Sequence, residues 1–201
     1  MFTGIVESIG TVIERATENG NVHFRIQSSI SNQLSIDNSV LHSGVCLTVT
    51  EVENDTHRVT AVDETLKRTC LGGWNVGAKV NLERSLVFNG RVEGHLVQGH
   101  ADTVATCVSI EEAGGSWLFS FELPSPTRLL VHKGSVCVNG VSVTVVEPAD
   151  KTFLVAIIPF TFEHTTFKNL KAGDGVNIEF DIIGKYLERW AAAATDARRG
   201  M

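Results

Sequence analysis

Two short stretches carry the most suggestive chemistry in this sequence: Cys46-Leu47-Thr48 and Ser142-Val143-Thr144, each preceded by glycine and valine. On a β-strand, residues i and i+2 share a face, so Cys46 points with Thr48 and Ser142 with Thr144. A thiol or hydroxyl beside a second hydroxyl, next to a glycine that admits close approach, suits an uncharged heterocycle with donors and acceptors on its edge. In one copy a solvated strand face would look the same; the second copy favours a site. His95 and His100 lie five residues apart in Gly94-His95-Leu96-Val97-Gln98-Gly99-His100. No third ligand in a recognisable spacing accompanies them, which argues against zinc. His95 reads as a structural histidine at a joint, and His100 as an acid–base or hydrogen-bonding group. GxSxG, GxxxxGKS/T and GxGxxG are absent, which removes nucleophile-elbow, P-loop and Rossmann chemistry.

The twin stretches belong to a repeat. Shifting the sequence by 96 positions pairs residues 39–84 with 135–180 without a gap, at 15 identities in 46 positions, among them Gly44 with Gly140, Thr48 with Thr144, Asn81 with Asn177 and Glu83 with Glu179. A slip of one residue extends the match backwards, so that Gly4 faces Gly99 and Thr11 faces Thr106. Such self-similarity makes the chain two copies of one unit.

Each unit, about 90 residues long, reads as β. Residues 45–50, 80–83, 117–121 and 141–145 are β-branched or aromatic, and Asn19-Gly20, Asn89-Gly90 and Asn139-Gly140 supply turns. Six or so short strands per unit close into a barrel, which removes unpaired edges. The expected fold is therefore all-β: two tandem six-stranded closed β-barrels of Greek-key type with short helices, at residues 63–70 and, after Pro126, 127–132. The domains are 1–97, 98–185 and a C-terminal helix at 186–201. In that tail Ile183, Leu187, Trp190, Ala194 and Ala197 recur at steps of four and three, a helical stripe. Such a stripe serves either docking on its own barrel or contact between chains.

Composition sets limits. The 201 residues are 43% hydrophobic and 20% charged, and 17 basic against 23 acidic residues leave a net charge of −6, no footprint for nucleic acid. The longest apolar run, residues 153–158, is far below the roughly 20 a bilayer span needs, and residues 1–10 lack the basic start of a leader. Cys46, Cys70, Cys107 and Cys137 form no CxxC and suit reduced thiols in a cytoplasmic protein.

Met1-Phe2-Thr3-Gly4-Ile5-Val6-Glu7, Ser43-Gly44-Val45-Cys46-Leu47-Thr48-Val49, Glu64-Thr65-Leu66, Val80-Asn81-Leu82-Glu83-Arg84, Gly94 through His100, and Lys133-Gly134 through Gly140-Val141-Ser142-Val143-Thr144-Val145 together resemble the riboflavin synthase family over residues 1–183. The resemblance implies a transferase, trimeric through its C-terminal helix, that converts two molecules of 6,7-dimethyl-8-ribityllumazine into riboflavin and 5-amino-6-ribitylaminouracil without cofactor or metal. It also raises association with lumazine synthase as a further partner. By motif it implies a first-barrel pocket of Gly4, Ile5, Val6, Ser39, Cys46, Leu47, Thr48, Thr60, Ala61, Val62, Asp63, Glu64 and Thr65. The second-barrel pocket is Gly99, His100, Ala101, Lys133, Ser142, Val143, Thr144, Ile158, Pro159, Phe160, Thr161, Phe162 and Glu163. The proton handlers are His100, Ser142, Thr144, Cys46, Ser39 and Thr48. Two departures from the family pattern stand out, Glu93 ahead of Gly94-His95 and Phe160 where the repeat has Glu64. A chromophore carrier with the same barrels is the alternative, and Lys133, Ser142 and Thr144 in the second barrel favour the enzyme.

Overall fold

The computed structural model describes residues 1–199, and side-chain burial over residues 1–194. Strands β1 (Ser8–Glu18), β2 (Asn21–Gln27), β3 (Ser39–His42), β4 (Val45–Glu53), β5 (Thr56–Ala61) and β6 (Lys79–Arg84) close one antiparallel barrel in the order β1-β2-β5-β4-β3-β6. Strands β7 (Thr103–Ala113), β8 (Ser116–Glu122), β9 (Ser135–Val138), β10 (Val141–Pro148), β11 (Thr152–Ile157) and β12 (Gly175–Phe180) close a second with the same Greek-key order. Bulges fall at equivalent places, at Val12/Glu14 and Val49/Glu51 in one barrel and Cys107/Ser109 and Val145/Glu147 in the other. Each bulge adds the local bend and twist that lets so short a sheet close.

Alternation decides what lies inside. Along β4, Val45, Leu47 and Val49 are buried while Cys46 is half-buried and Thr48 exposed; β10 repeats this with Val141, Val143 and Val145 inside, Ser142 half-buried and Thr144 exposed. The first interior is filled by Phe24, Ile26, Val49, Val59 and Leu82, the second by Phe119, Phe121, Phe153, Val155 and Ile178.

Short helices α1 (Asp63–Arg68) and α2 (Pro159–His164) come after β5 and β11, and α3 (Ile182–Arg199) ends the described chain. The helix expected at residues 127–132 does not form. Pro124 and Pro126 lack amide donors, Thr127 Oγ1 instead accepts from the Leu129 amide, and Lys133 turns with φ of 63°. The one-residue slip in the repeat lies in this connection: β2 and β8 are offset by 95 positions, β3 and β9 by 96. Helix α3 starts at Ile182, four residues ahead of the expected 186, and Gly200, Met201 and the surroundings of Ala197 lie outside the described residues.

The barrels dock through polar side chains of matching strands. Asn81 donates to the Asn139 carbonyl and to Thr166 Oγ1 and accepts from the Thr166 amide; Asn177 donates to the Ser43 carbonyl and accepts from the Cys70 amide. Each asparagine thus reaches from its own barrel into the other. Between them the Ser43-Gly44 and Asn139-Gly140 turns meet so closely that a Cβ on Gly44 would lie 2.9 Å from the Gly140 amide. The result is an approximate two-fold axis within one chain.

The interiors are not copies. In the first barrel His42 Nδ1–H donates to the Val40 carbonyl at 2.9 Å, which leaves its Nε2 to accept from His57 Nε2–H at 2.9 Å. His57 Nδ1 then accepts from Ser31, and Ser31 from Ser28, both at 2.8 Å. That directed chain exists only while both rings are neutral. Burial pushes His42 down to about 3, with His57 as a second cause, and His57 down to about 4. The repeat puts Val138 and Phe153 at the same places. Both values lie below the ordinary 6.5, so the pair's contribution to stability is complete above pH 6.5 and declines as pH falls toward 4 and 3. We expect each histidine to add up to about 1.4 kcal/mol of lost stability per pH unit in that window. Urea unfolding at pH 7 and pH 5 checks this, and the His42→Val/His57→Phe double variant should show a flatter acid dependence.

Candidate functional site

Each barrel opens at one place. The β4–β5 register ends at Val49↔Val59 although β4 begins at Val45 and β5 continues to Ala61, so the two strands part beside Thr48 and Thr60. In the second barrel the β10–β11 register ends at Val145↔Val155, leaving Thr144 and Ala156 at the parting. Ser39 stands directly across from Thr48, and Ser135 from Thr144, on the outer faces. Past the partings come α1 and α2, neither with a side-chain cap; α2 opens on Pro159, which has no amide N–H.

The segment that closes each opening comes from the other half. Phe2 and Val97 pair as an antiparallel bridge at the two-fold axis. From there Gly4 runs to β10, where its carbonyl accepts from the Ser142 amide at 2.8 Å, and Gly99 runs to β4, where its carbonyl accepts from the Cys46 amide at 2.9 Å. Val6 packs on the second core and Ala101 on the first. The motif grouping is thereby crossed: Gly4 and Val6 stand with Ser142, and Gly99 and Ala101 with Cys46. Sequence could not show this, because both segments match both halves of the repeat. Ile5 differs from its neighbours, lining a cavity of about 480 Å³ with Leu34, Asn38 and Ser39.

Two buried carboxylates hold these turns. Glu83 on β6 accepts from the Thr3 amide at 2.6 Å, Thr3 Oγ1 at 2.9 Å and the Gly4 amide at 2.9 Å. Glu179 on β12 accepts from the amides of Gln98, Gly99 and His100 at 2.7, 2.8 and 2.8 Å. Burial pushes the Glu83 carboxyl up, and its three donors pull it back.

The two faces differ chemically. Ser142 Oγ lies 2.7 Å from His95 Nδ1, and the ring is buried. Burial lowers the His95 pKa, with Asp181 opposing, so the ring is biased toward the neutral form that can take a proton. Its Nε2 is buried with no hydrogen-bond partner. Cys46, in contrast, packs with Phe2, Leu41, Val97 and Cys137. His95 reads from the sequence as structural; its contact with Ser142 depends on the crossing of the N-terminal segment and has no signal in spacing.

The remaining expected residues occupy varied surroundings. Leu47, Ala61 and Val143 point inward, while Val62, Asp63 and Ile158 are exposed at the helix starts. Glu64 is paired with Arg68 on α1, and Phe160, 68% exposed, stacks on His164 at 4.1 Å. Phe162 stacks on Trp117 at 3.8 Å, Pro159 opens α2, and Thr65 and Thr161 give their carbonyls to Thr69 and Thr165. Glu163 gives its carbonyl to Lys168, while the side chains of His100 and Lys133 are exposed. Among the described residues no group of three or more His, Cys, Asp or Glu could hold a metal ion.

The model of the lumazine binding domain matches residues 3–85 and again 98–181. The chain is 40% identical over 192 residues to riboflavin synthase of Bacillus amyloliquefaciens, covering 94% of this chain and 89% of that one. It is 39% identical to riboflavin synthase of Saccharomyces cerevisiae, covering 94% and 85%. The chain belongs to the riboflavin synthase family. Among solved structures, LumP complexed with 6,7-dimethyl-8-(1'-D-ribityl) lumazine superposes with a TM-score of 0.81 at 24% identity, over 89% of this chain and 98% of that one, a likeness of fold. The two domain matches coincide with the two barrels, so this riboflavin synthase relative carries one lumazine-binding domain per barrel.

The crossing makes a stability prediction. Gly20 and Gly99 share φ of +81°, but a Cβ on Gly99 would lie 2.5 Å from Cys46 Cβ while one on Gly20 meets nothing within 4 Å. Gly20→Ala should cost about 1 kcal/mol, the backbone term alone, and Gly99→Ala about 2 kcal/mol or more beyond it. The urea midpoints of the two variants compare them directly.

Proposed function

We propose that this chain is a riboflavin synthase that passes a four-carbon unit between two molecules of 6,7-dimethyl-8-ribityllumazine, giving riboflavin and 5-amino-6-ribitylaminouracil, a group transfer that places it among the transferases. The observation that carries the reading is the pair of opened β-strand faces at Thr48 and Thr144, each closed by a segment of the other half. Two like faces, brought together from neighbouring chains, suit two copies of one substrate held in opposed orientations, and positioning of that kind supplies much of a bimolecular rate.

The faces divide the labour. Ser142, hydrogen-bonded to a neutral buried His95, is the proton handler on the second barrel. Thr144 and Ser135 flank it, and the first barrel offers Cys46, Thr48 and Ser39 as binding groups. The exposure of His100 beside Gly99, above the first barrel's face, supports a ligand contact there.

The reacting pair forms between chains. The Phe2↔Val97 bridge leaves Gly4 and Gly99 about four residues of extended chain apart, on the order of 13 Å, so the faces of one chain sit side by side rather than face to face. A second chain brings the missing face, and α3 supports such assembly: Ile183, Leu187 and Trp190 are 58%, 59% and 72% exposed along one stripe. A homotrimer built through this helix satisfies both requirements. Four free cysteines suit a reducing cytoplasm.

Mixing the protein with the lumazine in metal-free buffer should yield riboflavin, read by its absorbance and yellow-green emission; binding without new flavin would indicate a chromophore carrier. Ser142→Ala and His95→Gln should each lower kcat about 10²-fold to 10⁴-fold while ligand binding changes little. Because the His95 pKa is lowered, wild-type kcat should hold on the acid side of the ordinary histidine value of 6.5. Deleting residues 186–201 should abolish trimer and activity together in sedimentation and turnover assays, and a fully active monomer would refute the site between chains.

A further inference from the structure

The carboxylates that hold the crossing segments sit on the opposite barrel from the face each segment completes. Glu179 belongs to the second barrel, yet the turn it holds, Gln98-Gly99-His100, closes over Cys46 of the first. Glu83 belongs to the first barrel and holds Thr3-Gly4, which closes over Ser142 of the second. We propose that Glu83 and Glu179 are positioning residues wired crosswise, each setting the lumazine site of the barrel to which it does not belong. The proposal rests on reading the two faces as lumazine sites.

The coupling is steric and electrostatic. Each carboxylate is under 6% exposed and accepts three hydrogen bonds with its two oxygens. A carboxamide of the same shape keeps one acceptor oxygen and turns an NH₂ toward an amide N–H, so at least one bond becomes a repulsion. The segment it held is then released from the face below, where the contact is close: a Cβ on Gly99 would be 2.7 Å from the Cys46 amide, and one on Gly4 would be 2.7 Å from the Ser142 amide. The barrel that carries the carboxylate keeps its own face covered, because the other glutamate holds that cover.

Cys46 reports directly on its cover. In the full-length protein without ligand, iodoacetamide labelling mapped by peptide mass spectrometry should label Cys46 about tenfold faster in Glu179→Gln than in wild type, the scale of one charge-assisted hydrogen bond. Glu83→Gln should leave the Cys46 rate within about twofold. The half-buried Cys70, at the docking surface between barrels, is the internal reference and should not change in either variant. A Ser142→Cys reporter should show the mirror result, faster in Glu83→Gln and unchanged in Glu179→Gln. If both carboxamides accelerate Cys46 alike, or Cys70 rises with it, the glutamates merely tighten the joint and the proposal is overturned; an unchanged Cys46 in Glu179→Gln overturns it as well. Should Glu179→Gln fail to fold, Glu179→Asp, which keeps the charge but shortens the reach, must show the same selectivity for Cys46. A separate arm adds saturating riboflavin to wild type, which should slow Cys46 labelling; no slowing counts against the lumazine site and leaves the crosswise result standing.

Discussion

Neither barrel of this chain is complete without a strip of backbone from the other. The constraint behind that exchange is the need of amide groups in two buried turns for acceptors, met by Glu83 for Thr3 and Gly4 and by Glu179 for Gln98, Gly99 and His100. A buried carboxylate is costly alone and favourable when several N–H groups point at it, so the turns and the glutamates stand or fall together. Phe2 and Val97 pair on the axis, and from there the two segments run in opposite directions, each to its own turn. The asparagines Asn81 and Asn177 lock the barrels in the one arrangement in which both turns reach their targets.

Duplication produced two platforms, and divergence made them unequal. Inside, the first barrel keeps a neutral hydrogen-bonded histidine chain where the second has Val138 and Phe153. Outside, Ser142 is joined to a buried imidazole while Cys46 sits among apolar neighbours. On the helices, Glu64 is engaged with Arg68 and Phe160 with His164. Two identical substrates that must end as different products need surroundings of this kind, alike in shape and unlike in proton affinity.

The two halves also diverge beyond their sixth strands. After β6 the chain bounds a cavity of about 480 Å³ through Ser85, Leu86 and Val87; after β12 the start of α3 bounds one of about 610 Å³ with Ser135, Leu129 and Val131. The same structural place therefore serves as a covalent link between barrels in one half and as an apolar helix in the other. A helix with Trp190 and Leu187 turned to solvent is a surface that assembly would remove from water.

Much of this protein was legible in residue order. The 96-position register, the alternating Cys46/Thr48 and Ser142/Thr144 faces and the Asn-Gly turns follow from residue order, and propensity and burial agree on the strands; the tail's 4-3 stripe gives the helix, while its apolar face stays exposed in the chain. At residues 127–132 the helical signal failed: two prolines precede, the Thr127 hydroxyl accepts from the Leu129 amide and the Thr127 amide donates to the Asp150 carbonyl. Which segment completes which face could not be read at all: Gly4 and Gly99 occupy equivalent places, so the repeat is equally consistent with closure within a barrel or across the axis. Only packing in three dimensions selects the crossed arrangement, because the carboxylates, the asparagines and the glycine contacts that decide it join residues far apart in the chain, 80 positions from Gly99 to Glu179 and 134 from Ser43 to Asn177.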